Sequence, residues 1–263
     1  MKKMGKIISA AAAAAVCCSM VSGMAVAAEE YTYDNGTAVI AEMNAADPIW
    51  TECKTLSGGK YSSAYVKMAQ SYSKKKATKA VTYGKSRTKS FLNKLEKAAN
   101  AKEPNVSIAL ISKDTVIASA VKGNKAKVVM YMPSGDMNVS LAIYTDSKTM
   151  TMLSPETKMK ITQEIPEGTD SAEAAGADIS GILSDSGITD STKGKVFKFT
   201  NNGKNYVYEE FETAEGGKMG VLFDSSNKPI AMLDDTGVYC CTFSTSVKDS
   251  AFKVPSGYAE MEM

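Results

Sequence analysis

The side chains that most often carry out chemistry in proteins are sparse in this sequence of 263 residues. Histidine is absent, which removes the commonest general base, the usual nitrogen ligand for metals and every Ser-His or Cys-His nucleophile. Carboxylate-pair or Ser-Lys catalysis needs no histidine, but no spacing of the acidic residues singles out such a set. Gly58-Gly59 and Gly216-Gly217 lack the pattern of a phosphate-binding loop and read as turns. The sequence therefore predicts no catalytic residue, no cofactor and a protein that is not an enzyme.

Cysteine is the remaining reactive type. Cys53, Cys240 and Cys241 follow the N-terminal apolar segment, and an odd number in an oxidising compartment leaves at least one thiol free or paired between molecules. Neighbouring residues on a strand face opposite ways, so Cys240 and Cys241 cannot both reach Cys53. We expect buried free thiols, and three sulfurs without histidine do not predict a metal site.

The most distinctive group of candidate functional residues is a set of apolar side chains, mainly methionines. Methionines alternate with polar residues between residues 126 and 162, and unbranched thioethers adapt to irregular apolar ligands. Together with neighbouring aliphatic residues they are predicted to form one apolar, or oily, face of the sheet. This face is predicted to be buried, and the opposite face is predicted to be exposed to water. The residues of this predicted ligand-binding face are Met130, Met132, Val139, Leu141, Ile143, Met150, Met152, Met159 and Ile161. The same pattern suits a plain packed core, so both interpretations remain open.

Strands and turns must position these residues. The alternation predicts about six strands from Val106 to Thr162 and about five more from Lys195 to Val247, which together form antiparallel meanders in a mainly β, α+β fold. A helix is predicted from Lys85 to Asn100 and another from about Ser171 to Ser186, the second with Asp170 as its N-cap. Their apolar stripes are predicted to cover the oily face as a lid, through Phe91, Leu95, Ile179, Ile182 and Leu183.

The first residues predict an exported protein. Three lysines precede an uncharged run from Ile7 to Ala28 that ends in small residues, as in a cleaved secretory signal, although a retained membrane anchor or a lipidated cysteine is the alternative. We assign residues 1–28 to the signal, 29–84 to an N-terminal extension that is partly helical or mobile, and 85–263 to one β domain. The mature chain is expected in the periplasm or on the outer side of the cell envelope.

The net charge and the scarcity of arginine argue against a nucleic-acid partner. Loss of Lys2, Lys3 and Lys6 with the signal takes the formal charge from +2 to −1, and 30 of the 31 basic residues are lysine. The bidentate arginine fork that reads phosphate and guanine is nearly missing. The sequence thus predicts no nucleic-acid partner, and peripheral or no membrane contact after signal cleavage.

Two meanders of about eleven strands, one helix before the first and one between them, resemble the LolA-like superfamily of lipoprotein carriers. The similarity covers about Lys85 to Tyr258, and its most suggestive segments are residues 142–146, 149–158, 220–224 and 252–258. The resemblance implies a half-open barrel with a helical lid around a cavity for acyl chains. An inward arginine helps to control the lid in that family, whereas Arg87 here lies in the helix before the sheet.

Two functions follow as expectations. The first is a non-catalytic carrier or sensor of a lipid, an acylated protein or another apolar ligand in the cell envelope. The second is a structural or protein-interaction module of the cell surface whose oily face is only its core. If the oily face is buried, an aspartate at Leu141 should be far more damaging than one at Ser140.

Overall fold

A computed structural model describes residues 63–72, 75–112, 115–134, 137–155, 157–177, 188–234 and 237–261. Its helices are α1 (Ser63–Tyr72), α2 (Arg87–Ala99) and α3 (Ser171–Ala175), and 3-10 turns lie at Tyr83–Lys85 and Asp249–Phe252. Within these residues no helix is both long and apolar enough to cross a membrane.

Among the described residues, thirteen strands form one mainly antiparallel sheet. The first meander consists of β2 (Asn105–Ile111), β3 (Val116–Lys122), β4 (Lys125–Ser134), β5 (Met137–Thr145), β6 (Thr149–Ser154) and β7 (Met159–Glu164). The second consists of β8 (Lys193–Asn201), β9 (Lys204–Glu212), β10 (Lys218–Phe223), β11 (Pro229–Asp234) and β12 (Gly237–Ser244). Two short strands, β1 (Lys79–Thr82) and β13 (Ala259–Glu260), flank them.

The two meanders join through β12 and β2, where Cys240 lies opposite Ile111. The sheet is not closed: β1 lies at one end beside β8, and β13 lies at the other end beside β7. The prediction of a mainly β chain with six strands followed by five is confirmed. The flanking strands were missed because four and two residues are too few to show an alternating pattern.

Helix starts follow local capping rules. The Ser86 hydroxyl accepts a hydrogen bond from the backbone N–H of Lys89 at 2.9 Å at the start of α2. Asp170 Oδ1 accepts one from the N–H of Ala172 at 2.8 Å, which confirms Asp170 as the cap of α3. The predicted helix begins at Ser171 as expected, but it ends at Ala175 instead of running on to about Ser186. Gly176, with a left-handed φ of 67°, ends it.

Both sides of the central strands are buried. On one side, buried residues of α2 and α3 pack with Val106, Ile108 and Val128. On the other, α1 and the C-terminal residues Val247 and Ala251 pack over β2–β6 and β8–β12. The prediction of a single buried face with a wet opposite side is therefore wrong.

The error has a physical cause. Several positions predicted to face water carry apolar or aromatic residues, and Val129, Ala142 and Tyr144 are buried under elements from distant parts of the chain. Even Lys127 is buried, with its ammonium 4.5 Å from the centre of the Tyr144 ring. Alternation in polarity identified two sets of residues, but not which set would be covered.

A glycine permits close packing between β9 and β10. A Cβ atom at Gly220 would lie 2.1 Å from Tyr208 Oη, inside any normal contact distance. The fully buried Tyr208 ring lies across this strand because no side chain stands there.

Candidate functional site: a partly exposed methionine face

The strand register places the predicted ligand-binding residues on one side of the sheet. Val128, which packs with α2 and α3, lies opposite Ile143, Ile143 lies opposite Met152, and Met152 lies opposite Ile161. Directly opposed residues of antiparallel strands share a face. The remaining pairs extend the same row, and we call the set the methionine face: Met130, Leu141, Ile143, Met150, Met152, Met159 and Ile161.

Two further predicted residues hold positions in this row. Met132 and Val139 oppose each other on β4 and β5, in register with Met130 and Leu141. The conformations of their side chains lie outside the described part of the structure.

Burial separates the methionine face from the rest of the sheet. All seven residues are only partly buried. On the same strands but the opposite side, Val129, Ala142 and Leu153 are fully buried, at 0% exposure. The larger and more flexible side chains thus lie on the less covered side, the reverse of what a tightly packed core would show.

The methionine face also lacks charge. By register, the described side chains of β4–β7 on this side are apolar or neutral polar, and the polar ones are Thr145, Ser154 and Gln163. Such a surface can bind apolar groups without covalent chemistry. Across the described residues, no group of three or more His, Cys, Asp or Glu is arranged to hold a metal ion.

Helix α3 lies at one end of the methionine face. The Thr145 hydroxyl donates to the Ser171 carbonyl at 2.8 Å, and the Ser171 hydroxyl donates to the Asp146 carbonyl at 2.7 Å. These bonds attach the start of α3 to the end of β5. The helix therefore covers Ala126 and Val128 and leaves the β6 and β7 part of the face less covered.

Helix α2 covers the neighbouring part of the same side. Phe91 and Leu95 are buried, and the Phe91 ring meets Phe243 edge to face with 5.5 Å between centroids. Of the five predicted lid residues, these two pack directly on the sheet. Ile179, Ile182 and Leu183 lie outside the described residues.

A buried carboxylate attaches α2 to the sheet. Glu209, in the middle of β9, is 2% exposed. Its Oε2 accepts hydrogen bonds from the Thr88 N–H at 2.9 Å and the Thr88 hydroxyl at 3.0 Å, while Oε1 accepts from the Arg87 N–H at 3.3 Å. A negative charge here also satisfies the positive end of the helix dipole.

The only arginine completes this contact. The Arg87 guanidinium lies 3.6 Å from Glu209 Oε1, and its Nε donates to Asn227 Oδ1 at 2.7 Å. Sequence reasoning missed Glu209. The signal was the pair Glu209-Glu210 inside an apolar strand, because adjacent strand residues point to opposite sides and at least one carboxylate must then face the helices.

One polar atom beneath the helices has no partner. The Ser119 hydroxyl is buried on the α2 and α3 side, opposite Ile108 and Val128, and makes no hydrogen bond within the described structure. Ser140 has an unpartnered hydroxyl of the same kind on the α1 side.

The cysteines lie on opposite sides of β12, as expected. Cys240 is buried with the α1 cluster and Cys241 with the α2 cluster, and neither is in a disulfide within the described residues. Burial raises the pKa of the Cys241 thiol to about 12, so this residue stays protonated and unreactive at neutral pH. Cys53 lies outside the described residues.

Comparison with known proteins yields little. No protein-family model matches the chain, and no curated protein is significantly similar to it. Among solved structures, an uncharacterized conserved protein from Thermus thermophilus aligns with 9% identity and a TM-score of 0.33, covering 67% of this chain and 99% of that one.

Proposed function

We propose that this protein is an exported, non-catalytic carrier or sensor of an apolar ligand, such as a lipid or the acyl chain of a lipoprotein, in the cell envelope. The observation that supports it is the methionine face, an uncharged row of large apolar side chains left partly exposed on a sheet whose other side is buried. The ligand would complete the burial of these side chains and gain the free energy of removing them from water.

The proposal includes an architecture for the site. The unclosed sheet forms a half-open barrel of the kind found in the LolA-like superfamily, with α2 as part of its cover. Because the start of α2 is attached by a buried carboxylate and its stripe is buried, α2 is the fixed part of this cover. A ligand would enter beside β6 and β7, where Met152 and Ile161 are only partly buried.

Native mass spectrometry of the protein purified from its own envelope, followed by solvent extraction, tests the proposal. We expect bound acyl chains, and displacement of a fluorescent fatty acid by the extracted material. A double change of Met150 and Met152 to Asn should weaken fatty-acid binding about thirtyfold or more, since two partly buried thioether side chains would be lost.

Lys198→Asn is the control, because Lys198 is exposed on β8, which is separated from β4–β7 by six strands of the sheet. It should leave fatty-acid binding unchanged. Ligand-free protein that also fails to bind the fluorescent fatty acid would overturn the carrier proposal. The alternative, a structural or interaction module of the cell surface, would then stand.

A further inference from the structure

The outward side of α2 and the turn before it form a hollow of about 450 Å³ that contains no acidic residue. We call it the lysine hollow. Its lining includes Lys85, Lys89, Ser90, Asn93, Lys94 and Lys97. Every side chain in this list donates hydrogen bonds, and four carry a positive charge, so the lysine hollow matches anionic groups.

The positive charge of the lysine hollow is local. The whole chain is nearly balanced, with 31 basic and 29 acidic residues, whereas Glu96 is the only acidic residue of α2. One lysine is paired, since Lys89 lies 3.6 Å from Asp190, whose side chain is 75% exposed. An exposed pair of this kind is weak. Within the described structure, Lys85, Lys94 and Lys97 form no ion pair.

The orientation of the lysine hollow is fixed by the opposite side of the same helix. Phe91 and Leu95 are buried against the sheet, and Glu209 holds the first turn of α2 in place. The lysines must therefore face away from the sheet. They lie on the outer surface of the element that covers the side of the sheet bearing the methionine face.

The composition of the lysine hollow favours one kind of anionic partner. It has no arginine and no aromatic residue, so it lacks the groups that grip a single phosphate bidentately or stack on nucleotide bases. It also has no apolar residue to insert into a bilayer. Several lysine charges on one surface suit a dense, flat array of negative charges, to which each lysine adds about fivefold in affinity.

We infer that the lysine hollow docks the protein, reversibly and without insertion, onto the headgroups of an anionic lipid bilayer. The choice of a bilayer rests on the proposed function, because an apolar ligand carried next to α2 has to be collected from or delivered to a membrane. Docking through the outer side of α2 places the methionine face close to that membrane.

Vesicle co-sedimentation of the full mature chain tests this inference. We expect binding to vesicles of about 30% phosphatidylglycerol in phosphatidylcholine at low salt, no binding to pure phosphatidylcholine, and release at about 0.5 M salt as the Debye length falls to a few Å. The triple variant Lys85→Gln, Lys94→Gln, Lys97→Gln should lose about 100-fold in partitioning.

The matched control is the triple variant Lys193→Gln, Lys198→Gln, Lys204→Gln, which removes the same charge from exposed positions on β8 and β9. It should retain binding within a few-fold of the wild type. Equal losses in both triple variants, binding to neutral vesicles, or binding to soluble polyphosphate but not to vesicles would each overturn the inference.

Fatty-acid binding by the first triple variant separates the two proposals. It should be unchanged, because the lysines lie on the outer side of α2. A wild type that binds fatty acid but no anionic vesicle overturns the docking inference alone. A wild type that binds anionic vesicles through these lysines but binds no fatty acid would support the docking inference and overturn the carrier function.

Discussion

At the scale of the residue, the Glu209 carboxylate joins two elements that are 121 positions apart in the chain. It is almost fully removed from water, and its charge is offset by the Arg87 guanidinium and by the N–H groups at the start of α2. Removing one partner of such a contact leaves the other groups buried and unsatisfied.

Glu209→Gln should therefore lower the free energy of unfolding by about 2–4 kcal/mol, as measured by urea denaturation. Glu212→Gln, an exposed change on the same strand, should shift it by less than about 0.5 kcal/mol. Equal shifts for the two variants would mean that Glu209 does not attach α2.

The Cys241 thiol gives a second prediction at this scale. With a pKa raised to about 12, the thiolate fraction at pH 8 is on the order of one in ten thousand, and burial also blocks reagents. Because the pKa is raised, ionisation becomes substantial only as the pH approaches 12. Peptide mapping after N-ethylmaleimide treatment at pH 8 should show the Cys240-Cys241 peptide unmodified in the native protein and doubly modified in denaturant. Rapid native labelling would contradict the burial of both thiols.

At the scale of the element, β4 to β6 are covered unequally on their two sides. Ala142 on β5 has no exposed surface, while its neighbour Leu141 is partly exposed on the methionine face. Sequence patterning alone assigned them the other way round. The difference is testable because each residue can be changed to the same charged side chain.

Ala142→Asp should lower the free energy of unfolding by more than about 3 kcal/mol, since it buries an unpaired charge under α1 and the C-terminal residues. Leu141→Asp should cost about 1–2 kcal/mol, because water still reaches that position. Thermal unfolding of both variants provides the measurement. A larger loss for Leu141→Asp would restore the single-face interpretation.

At the scale of the whole molecule, the open sheet has two ends that the chain must protect. At the β7 end, β13 pairs in parallel, with the N–H groups of Ala259 and Met261 donating to the carbonyls of Lys158 and Lys160. The Lys160 ammonium and the Glu260 carboxylate, 2.9 Å apart, add an exposed ion pair. This pairing also lowers the pKa of Glu260. An unpaired strand edge is a site of association between molecules.

Deletion of residues 257–263 should consequently leave the unfolding midpoint nearly unchanged but produce concentration-dependent dimers, which sedimentation velocity would detect. For the intact chain, a lowered pKa means that the ion pair stabilises the tail above the ordinary pKa of glutamate and is lost as the pH falls through the folded value. Acid should thus reproduce part of the effect of the deletion. A deletion variant that stays monomeric at high concentration would contradict the role of β13.

Local features of the sequence determined much of this protein. Alternation over six to ten residues located eleven strands, and the aspartate before an apolar stripe located the start of α3, because strand alternation and helix capping act between near neighbours. The same alternation grouped Met130, Leu141, Met152 and Ile161 on one side, which the register confirms.

The tertiary structure decided what the alternation could not. Which side of β4 to β6 is covered depends on α1 and on Val247 and Ala251, which are distant in sequence and supply apolar surface only after folding. The contact of Glu209 with α2 likewise requires two remote elements to meet. Burial is a property of the assembled chain, since a side chain leaves water only when another element arrives to replace that water.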